Sequence, residues 1–489
     1  MDINELRIQK KKYLHNEEDF NFKIEFELVN TSVAFINCLR RICSSLTPVV
    51  TFDDTYYSDT SLNSIKVIKN TSSLHNEFLS QRISLLPINM EINSHLNIET
   101  TYVPNDEKRI WKFSNLETVP LFRLNIKNLN NSQSTSNKSI VDVTTNDFTV
   151  ESNNETLDVR NFFPADINTQ EYILINKLKS NLIDTLDGEE LDIICKPTIG
   201  MGVTNARSDP TGTVTYYFKC KEDSVESNFN AKIENLQKER KEKNLNEYTR
   251  DEIIKLRNSY NLLDKQRVYY KNNDGEANIF NFSLESIGFL NSLQIIYNSI
   301  HNFRLILIDL RNSITFNNLK HKMNYHLNSK INIKSEININ KSYIVSILNQ
   351  NHTLGNIISY YLIKLYVSSD LDDKLKPFCI GGYRMPHPTV ENIEFKFVIK
   401  ESLTKIDIGN YLYKLNQENQ EIKLENYMSL DETELHQLFT LTIFIKTINH
   451  VIKLFDEFTS ILSEKSGIDS TATFSIRDSD SYLSKNSHY

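Results

Sequence analysis

The chain has 489 residues, of which 39% are hydrophobic and 24% charged, with a formal net charge of −8 and only 11 glycines. Average apolar content supports real cores, the length calls for two or three domains, and the acidic balance argues against DNA or RNA as the main direct partner. No glycine precedes Gly188, and neither G-x-G-x-x-G nor G-x-x-x-x-G-K-[S/T] occurs, which excludes the standard phosphate-cradling loops.

The chain opens on the charged residues Arg7, Lys10, Lys11 and Lys12, and no apolar run approaches 18 residues, so a soluble, non-secreted protein is expected. Phe22, Ile24, Phe26 and Leu28 share one face of a strand over 20–28. Asn30, Thr31 and Ser32 offer caps for a helix from about Val33 to Leu46. Its inward face is Val33, Ile36, Leu39, Cys43 and Leu46, and Pro48 ends it. A second helix is expected over 72–86, capped by Asn70 or Thr71, with Leu74, Phe78, Leu79, Ile83 and Leu86 as its stripe. Short strands and turns follow to about Ile126, and 128–139 reads as a polar loop. Strands resume over 140–150, 191–195 and 213–218. Residues 222–272 are densely charged and helix-forming, either a solvated insertion or a partner-binding arm.

Another strand covers 280–286. A long helix runs from about Asn291 beyond Leu310, with Leu293, Ile296, Tyr297, Ile300, Phe303, Leu307 and Leu310 inward. The Asn- and Lys-rich stretch 321–340 reads as a linker. The opening theme then recurs. Tyr343, Val345 and Ile347 alternate as a strand, and a helix from Asn351 lines up Leu354, Ile357, Ile358, Tyr361, Leu362 and Leu365. A strand carries Ile393, Phe395, Phe397 and Ile399, with Glu394, Lys396 and Lys400 opposite. The last helix, 431–462, has a seam of Leu435, Leu438, Leu441, Ile445, Ile448, Ile452, Phe455 and Phe458 at a spacing near 3.5.

These elements predict an α+β protein built from two copies of one plan: strand, capped helix, sheet, long amphipathic helix. The first copy is split between 1–50 and 188–320, around an inserted β-rich domain at 51–187, and carries the charged insertion at 222–275. The second copy is 341–465, and 466–489 is a polar tail. Asn37-Cys38-Leu39 matches Asn356-Ile357-Ile358. Each copy alone leaves an apolar helix face open, so an intramolecular pseudo-dimer is expected. Its interface would be Ile36, Leu39, Leu354, Ile357, Ile358, Tyr361, Ile445, Ile448 and Ile452.

Few residues suggest chemistry. The five cysteines, Cys38, Cys43, Cys195, Cys220 and Cys379, have no C-x-x-C spacing and are odd in number, which fits a reducing compartment without disulfides. Cys38 and Cys43 read as core. Asp53, Asp54 and Asp59 could be drawn as metal carboxylates, but a solvated turn explains them as well. Asp478 and Asp480 sit in the polar tail and offer no more. His352 and His387 read as local caps rather than ligands. Gly381 and Gly382 suggest a bulge or tight strand entry, and Pro386 and Pro388 an extended edge. No catalytic residue, cofactor or metal site is expected.

Two stretches of the second half are specific: Asn351-His352-Thr353-Leu354-Gly355-Asn356, then Gly381-Gly382-Tyr383-Arg384-Met385-Pro386-His387-Pro388. Together they resemble the signature of the eleventh subunit of eukaryotic RNA polymerase II and its archaeal counterpart. The first half resembles the third subunit, itself akin to the bacterial alpha subunit. It does so through Asn37-Cys38-Leu39-Arg40-Arg41-Ile42, the stretch from Asn70 to Ile88, Ile199-Gly200-Met201-Gly202 to Ala206, and Phe282 to Gly288. The resemblance covers most of 20–320 and 340–465.

Both halves in one chain resembles the fused subunit of large cytoplasmic DNA viruses, and the Asn, Ile and Lys bias fits an AT-rich genome. What this implies is a non-catalytic platform on which the largest and second-largest polymerase subunits assemble, with small zinc-binding subunits docking nearby. The resemblance assigns Arg40 and Arg41 to the second-largest subunit, by bidentate contact, although either could pair within the fold. Relatives often hold zinc or an iron–sulfur cluster on cysteines of the inserted domain. With no cysteine between Cys43 and Cys195, neither is expected here. The implied location is a viral factory in the cytoplasm and the virion, or otherwise the nucleus. Two other readings stay open: a metal-dependent nuclease or phosphotransferase on Asp53, Asp54 and Asp59, and a stand-alone virion structural protein using 222–272 as an adhesive arm.

Overall fold

Backbone alternation and local capping explain most elements. The computed structural model describes residues 1–11, 20–55, 63–90, 96–103, 108–129, 140–166, 168–181, 187–319, 322–336, 339–368, 375–415, 424–467 and 476–478. Strand Phe20–Val29 turns Ile24, Phe26 and Leu28 into the core. It lies between strands Asp2–Lys11 and Ile279–Ser286, and Thr211–Phe218 completes a four-stranded antiparallel sheet. Asn30 takes a positive φ of 56° to leave the strand, a conformation asparagine tolerates. Ser32 then caps helix α1 (Val33–Ser45), its Oγ accepting from the Phe35 amide at 3.2 Å. Ile36, Leu39 and Cys43 are buried, whereas Val33, in the first turn, is exposed.

Helix α2 (Asn76–Ser84) starts later than expected. Asn70 folds back on Ser72 in a turn, accepting from its amide at 2.9 Å, and His75 takes the cap. Phe78, expected inward, is 61% exposed, because the shortened helix buries only Leu79 and Ile83 among its apolar residues. Around α2, strands Glu155–Leu157, Phe148–Ser152, Leu121–Lys127, Glu190–Cys195 and Ile65–Asn70 form a five-stranded antiparallel sheet in that order. Phe122 sits among the rings of Phe52, Phe148, Phe162 and Phe163. The polar stretch 128–139 lies, but for Asn128 and Leu129, outside the described residues.

The charged insertion is a helical hairpin of α3 (Glu222–Glu242) and α4 (Arg250–Leu263). Its turn is held by the Thr249–Glu252 capping box and by Arg240 over the Tyr248 ring, 3.6 Å from its centroid. Helix α5 (Ser292–Asn312), capped by Asn291, buries all seven residues expected inward.

The segment read as a linker, 321–340, instead holds strands Lys322–Leu327 and Ile331–Ser335. The first pairs with Ile314–Leu319 and the second joins the next sheet. Its Asn-rich composition hid a period of two: Ile331 and Ile333 point in, Asn332 and Lys334 out. That second antiparallel sheet runs Ile331–Ser335, Ser342–Leu348, Asn392–Ile399, Phe378–Arg384. Its one register shift on the Phe378–Arg384 edge lies between Phe378 and Ile380, not at the Gly381–Gly382 pair. Lys400, expected opposite the apolar face, is buried.

Helix α6 (His352–Tyr366) is capped by Asn351. Two helices without a sequence expectation follow, α7 (Lys405–Leu415) and α8 (Leu424–Met428). The chain then enters α9 (Glu432–Ser466), which carries an Asp431–Glu434 capping box and ends on Gly467 at φ 68°. By length and composition α9 could cross a membrane. Its most apolar 18-residue window has a mean hydropathy of 1.4, but 67% of that window is buried in the protein. Interspersed Gln437, Thr440, Thr442, Lys446 and His450 hid this from a search for unbroken apolar runs.

The seam of α9 is also broader than a 3.5 repeat. Phe439, Ile443, Phe444, Thr447 and Val451 are buried too, while Ile445 is only half-buried. The cause is a helix buried on more than one side. Phe439 stacks on Phe378 and Phe444 packs on Phe395, both of the second sheet. Phe455 packs on Phe35 of α1 and Phe303 of α5, and Phe458 reaches Phe26 of the first sheet. The fold is α+β with several antiparallel sheets, and apolar residues from both four-stranded sheets and helices α1, α5, α6 and α9 form one connected core.

A candidate interaction site between two motif helices

Helices α1 and α6 pack together. Ile36, Leu39, Leu354, Ile357, Ile358 and Tyr361 are all buried, as are Ile448 and Ile452 of α9. Polar contacts also join α1 and its cap to α6. The Ser32 and Tyr361 hydroxyls lie 3.2 Å apart, and Arg41 Nε donates to Thr353 Oγ1 at 2.7 Å.

Beside this junction is a cleft of about 210 Å³ lined by Ala34, Asn37, Cys38 and Arg41 of α1, His352, Thr353 and Asn356 of α6, and Tyr383. Both specific motifs of the second half thus meet the Asn37–Ile42 motif of the first. Tyr383 lies over Gly355, where an added Cβ would come within 2.5 Å of the ring. Its hydroxyl is 3.2 Å from His352 Nδ1. Burial raises the Tyr383 phenol above its ordinary value, against the opposing pull of Arg41.

The two arginines part company here. Arg40 Nε donates to Asn37 Oδ1 at 3.1 Å, one turn back on its own helix, whereas Arg41 bridges to α6. Both have partners inside the fold, and both stay half-buried. The thiols at the junction are not reactive centres. Burial drives the Cys38 thiol far up, and it pushes Cys43 up to about 12 even though Ser299 bonds that sulfur.

No family model matches the chain. The chain is 25% identical over 197 residues to subunit 3B of the DNA-directed RNA polymerases IV and V of Arabidopsis thaliana. The match covers 40% of this chain and 53% of that subunit, so the chain spans about half the length of the relative. The chain is similar to an RNA polymerase subunit.

The carboxylates offered as metal ligands are otherwise engaged. The Arg207 guanidinium bonds both Asp53 and Asp54, and Asp53 Oδ1 also accepts from the Thr55 amide at 2.9 Å and hydroxyl at 2.7 Å. Burial works against the Asp53 carboxylate, but the Thr55 bonds and the Arg207 charge hold it below the usual range. Asp59 lies outside the described residues. Arg207 follows Ala206 at the end of a motif already singled out. What the sequence lacked was any sign that the motif folds back on Asp53 and Asp54. Among the described residues no group of three or more His, Cys, Asp or Glu could hold a metal ion.

Proposed function

We propose that this chain is a non-catalytic assembly subunit of a multisubunit DNA-dependent RNA polymerase. In this reading two alpha-like modules, 1–50 with 188–320 and 341–465, form an intramolecular pseudo-dimer. The region 51–187 is an inserted domain, 222–275 an appended arm and 466–489 a tail. The observation that carries it is the cleft where the motifs of both halves meet, taken with the similarity to a polymerase subunit over 197 residues. One face, around Arg40 and Arg41, engages the second-largest subunit. Another engages the largest, and small zinc-binding subunits dock nearby. Joining the halves covalently makes their pairing independent of subunit concentration. In this reading the protein works in a cytoplasmic viral factory and its virion, or in the nucleus if the gene is cellular. The engagement of Asp53 and Asp54 by Arg207 favours this reading over a metal-dependent nuclease. Co-purification with the tagged full chain tests it. Both large polymerase subunits should be recovered in stoichiometric amounts, and their absence overturns the assignment.

A further inference from the structure

The region 51–187 carries a hairpin of strands Ile98–Val103 and Lys108–Phe113. It is clamped to the body: Arg109 Nε and Nη2 donate to the two carboxylate oxygens of Asp309 on α5, at 2.7 and 3.0 Å. One edge of Ile98–Val103 is taken by its hairpin partner, in unbroken register. The other edge is a hazard. Its sequence, Ile-Glu-Thr-Thr-Tyr-Val, is rich in β-branched and aromatic residues, with one charge and neither proline nor glycine, a composition that invites a further strand. The outer strand of the first sheet, Asp2–Lys11, instead blunts its edge with Arg7, Lys10, Lys11 and two register shifts.

What covers this edge comes from beyond α9. After the stop at Gly467, the stretch read as a polar tail supplies a short strand, Ile476–Asp478, which pairs in parallel with Ile98–Thr100. The register sets Arg477 opposite Glu99, residues of opposite charge. The chain between Gly467 and Ile476 is long enough to reach about 30 Å. So short a strand is marginal as a free peptide, but a short tether lifts its local concentration to about millimolar. We propose that the outer edge of Ile98–Val103 is a strand-addition site, and that 476–478 closes it in cis as a strap joining α9 to the hairpin clamped on α5. This goes beyond the assembly role and does not depend on it.

Hydrogen exchange of the amides of 98–103 tests this in the full chain, in a chain ending at Gly467, and in the single variants Ile476→Pro and Arg477→Pro. Consecutive amides of a strand point to opposite sides, so one of the two prolines must remove a ladder bond whichever way the strap faces. Unchanged thermal midpoints verify that the body stays folded. At least one amide of 98–100 should exchange about ten-fold faster or more in the shortened chain and in one proline variant. Equal exchange in the full and shortened chains overturns the strap. Faster exchange on shortening that neither proline reproduces overturns the strand pairing. Protection in the full chain that grows with protein concentration assigns the added strand to a second copy and refutes closure in cis.

Discussion

Gly355 occupies a helix position where alanine would ordinarily be the better residue by about 1 kcal/mol. Here the Tyr383 ring stands 2.5 Å from where its Cβ would be. Overpacking costs about 1–3 kcal/mol, so it matches or outweighs the gain in propensity. Gly355→Ala should destabilise the protein by up to about 2 kcal/mol, the difference of those two effects. Urea unfolding measures this, and a rise in stability would mean the ring simply swings away. His436 is the second informative residue. It is 3% exposed, with Nδ1 at 3.1 Å from the Tyr343 hydroxyl. Burial, helped by Lys341, holds its imidazole below the ordinary 6.5, and Glu432 opposes this only weakly from 3.8 Å. The folded state therefore favours the neutral ring. As pH falls through about 6.5 the unfolded chain takes up a proton that the folded chain resists. Stability should decline from pH 7 towards pH 5, by about 1.4 kcal/mol for each unit of depression, and level off below the folded value. Thermal midpoints across that range should fall less steeply in His436→Asn.

Among the elements, α9 and the α3–α4 hairpin are opposites. Helix α9 takes its order from its surroundings, with phenylalanines on several sides and a Gly467 stop at its end. The hairpin supplies its own order: Phe229 packs on Tyr260 at 5.2 Å between ring centroids, Arg257 lies over Phe229, and the turn carries its own capping box. It is tied to the body at its base by the Cys220–Tyr269 bridge and by Tyr269 stacked on Phe218. Replacing 222–264 by a short Gly-Ser link should therefore leave the thermal midpoint of the body within a few degrees. A large drop would show that the arm supports the first sheet. The exposed ion pairs along it, such as Lys241–Glu247, add little either way.

At the scale of the whole molecule, Phe35, Phe303, Phe455 and Phe458 tie segments more than 400 residues apart in sequence into one interior. If the two halves are a tethered pair, cutting the chain at Ser329, in the turn between strands 322–327 and 331–335, should be tolerated. Fragments 1–329 and 330–489 expressed together should form a one-to-one complex by size-exclusion chromatography with light scattering. Each alone should aggregate, because Phe26, Phe35 and Phe303 of the first and Phe455 and Phe458 of the second would lose their cover. Two soluble, separate fragments would show that the halves do not depend on one another.

Wherever the signal is local, the residues themselves determined the structure. Alternation set strand 20–29, the serine before Val33 started α1, and the 291–310 stripe marked the buried face of α5, because period and capping act over a few residues. The contacts of Arg41, the pairing of Arg207 with Asp53 and Asp54, the exposure of Phe78 and the several-sided burial of α9 depend on what lies opposite in space. Only the tertiary structure decided them, since burial and charge compensation are properties of neighbours brought together by folding. The candidate site divides in the same way. Its motifs were legible as stretches of sequence, but their meeting in one cleft follows from the packing of α1 on α6.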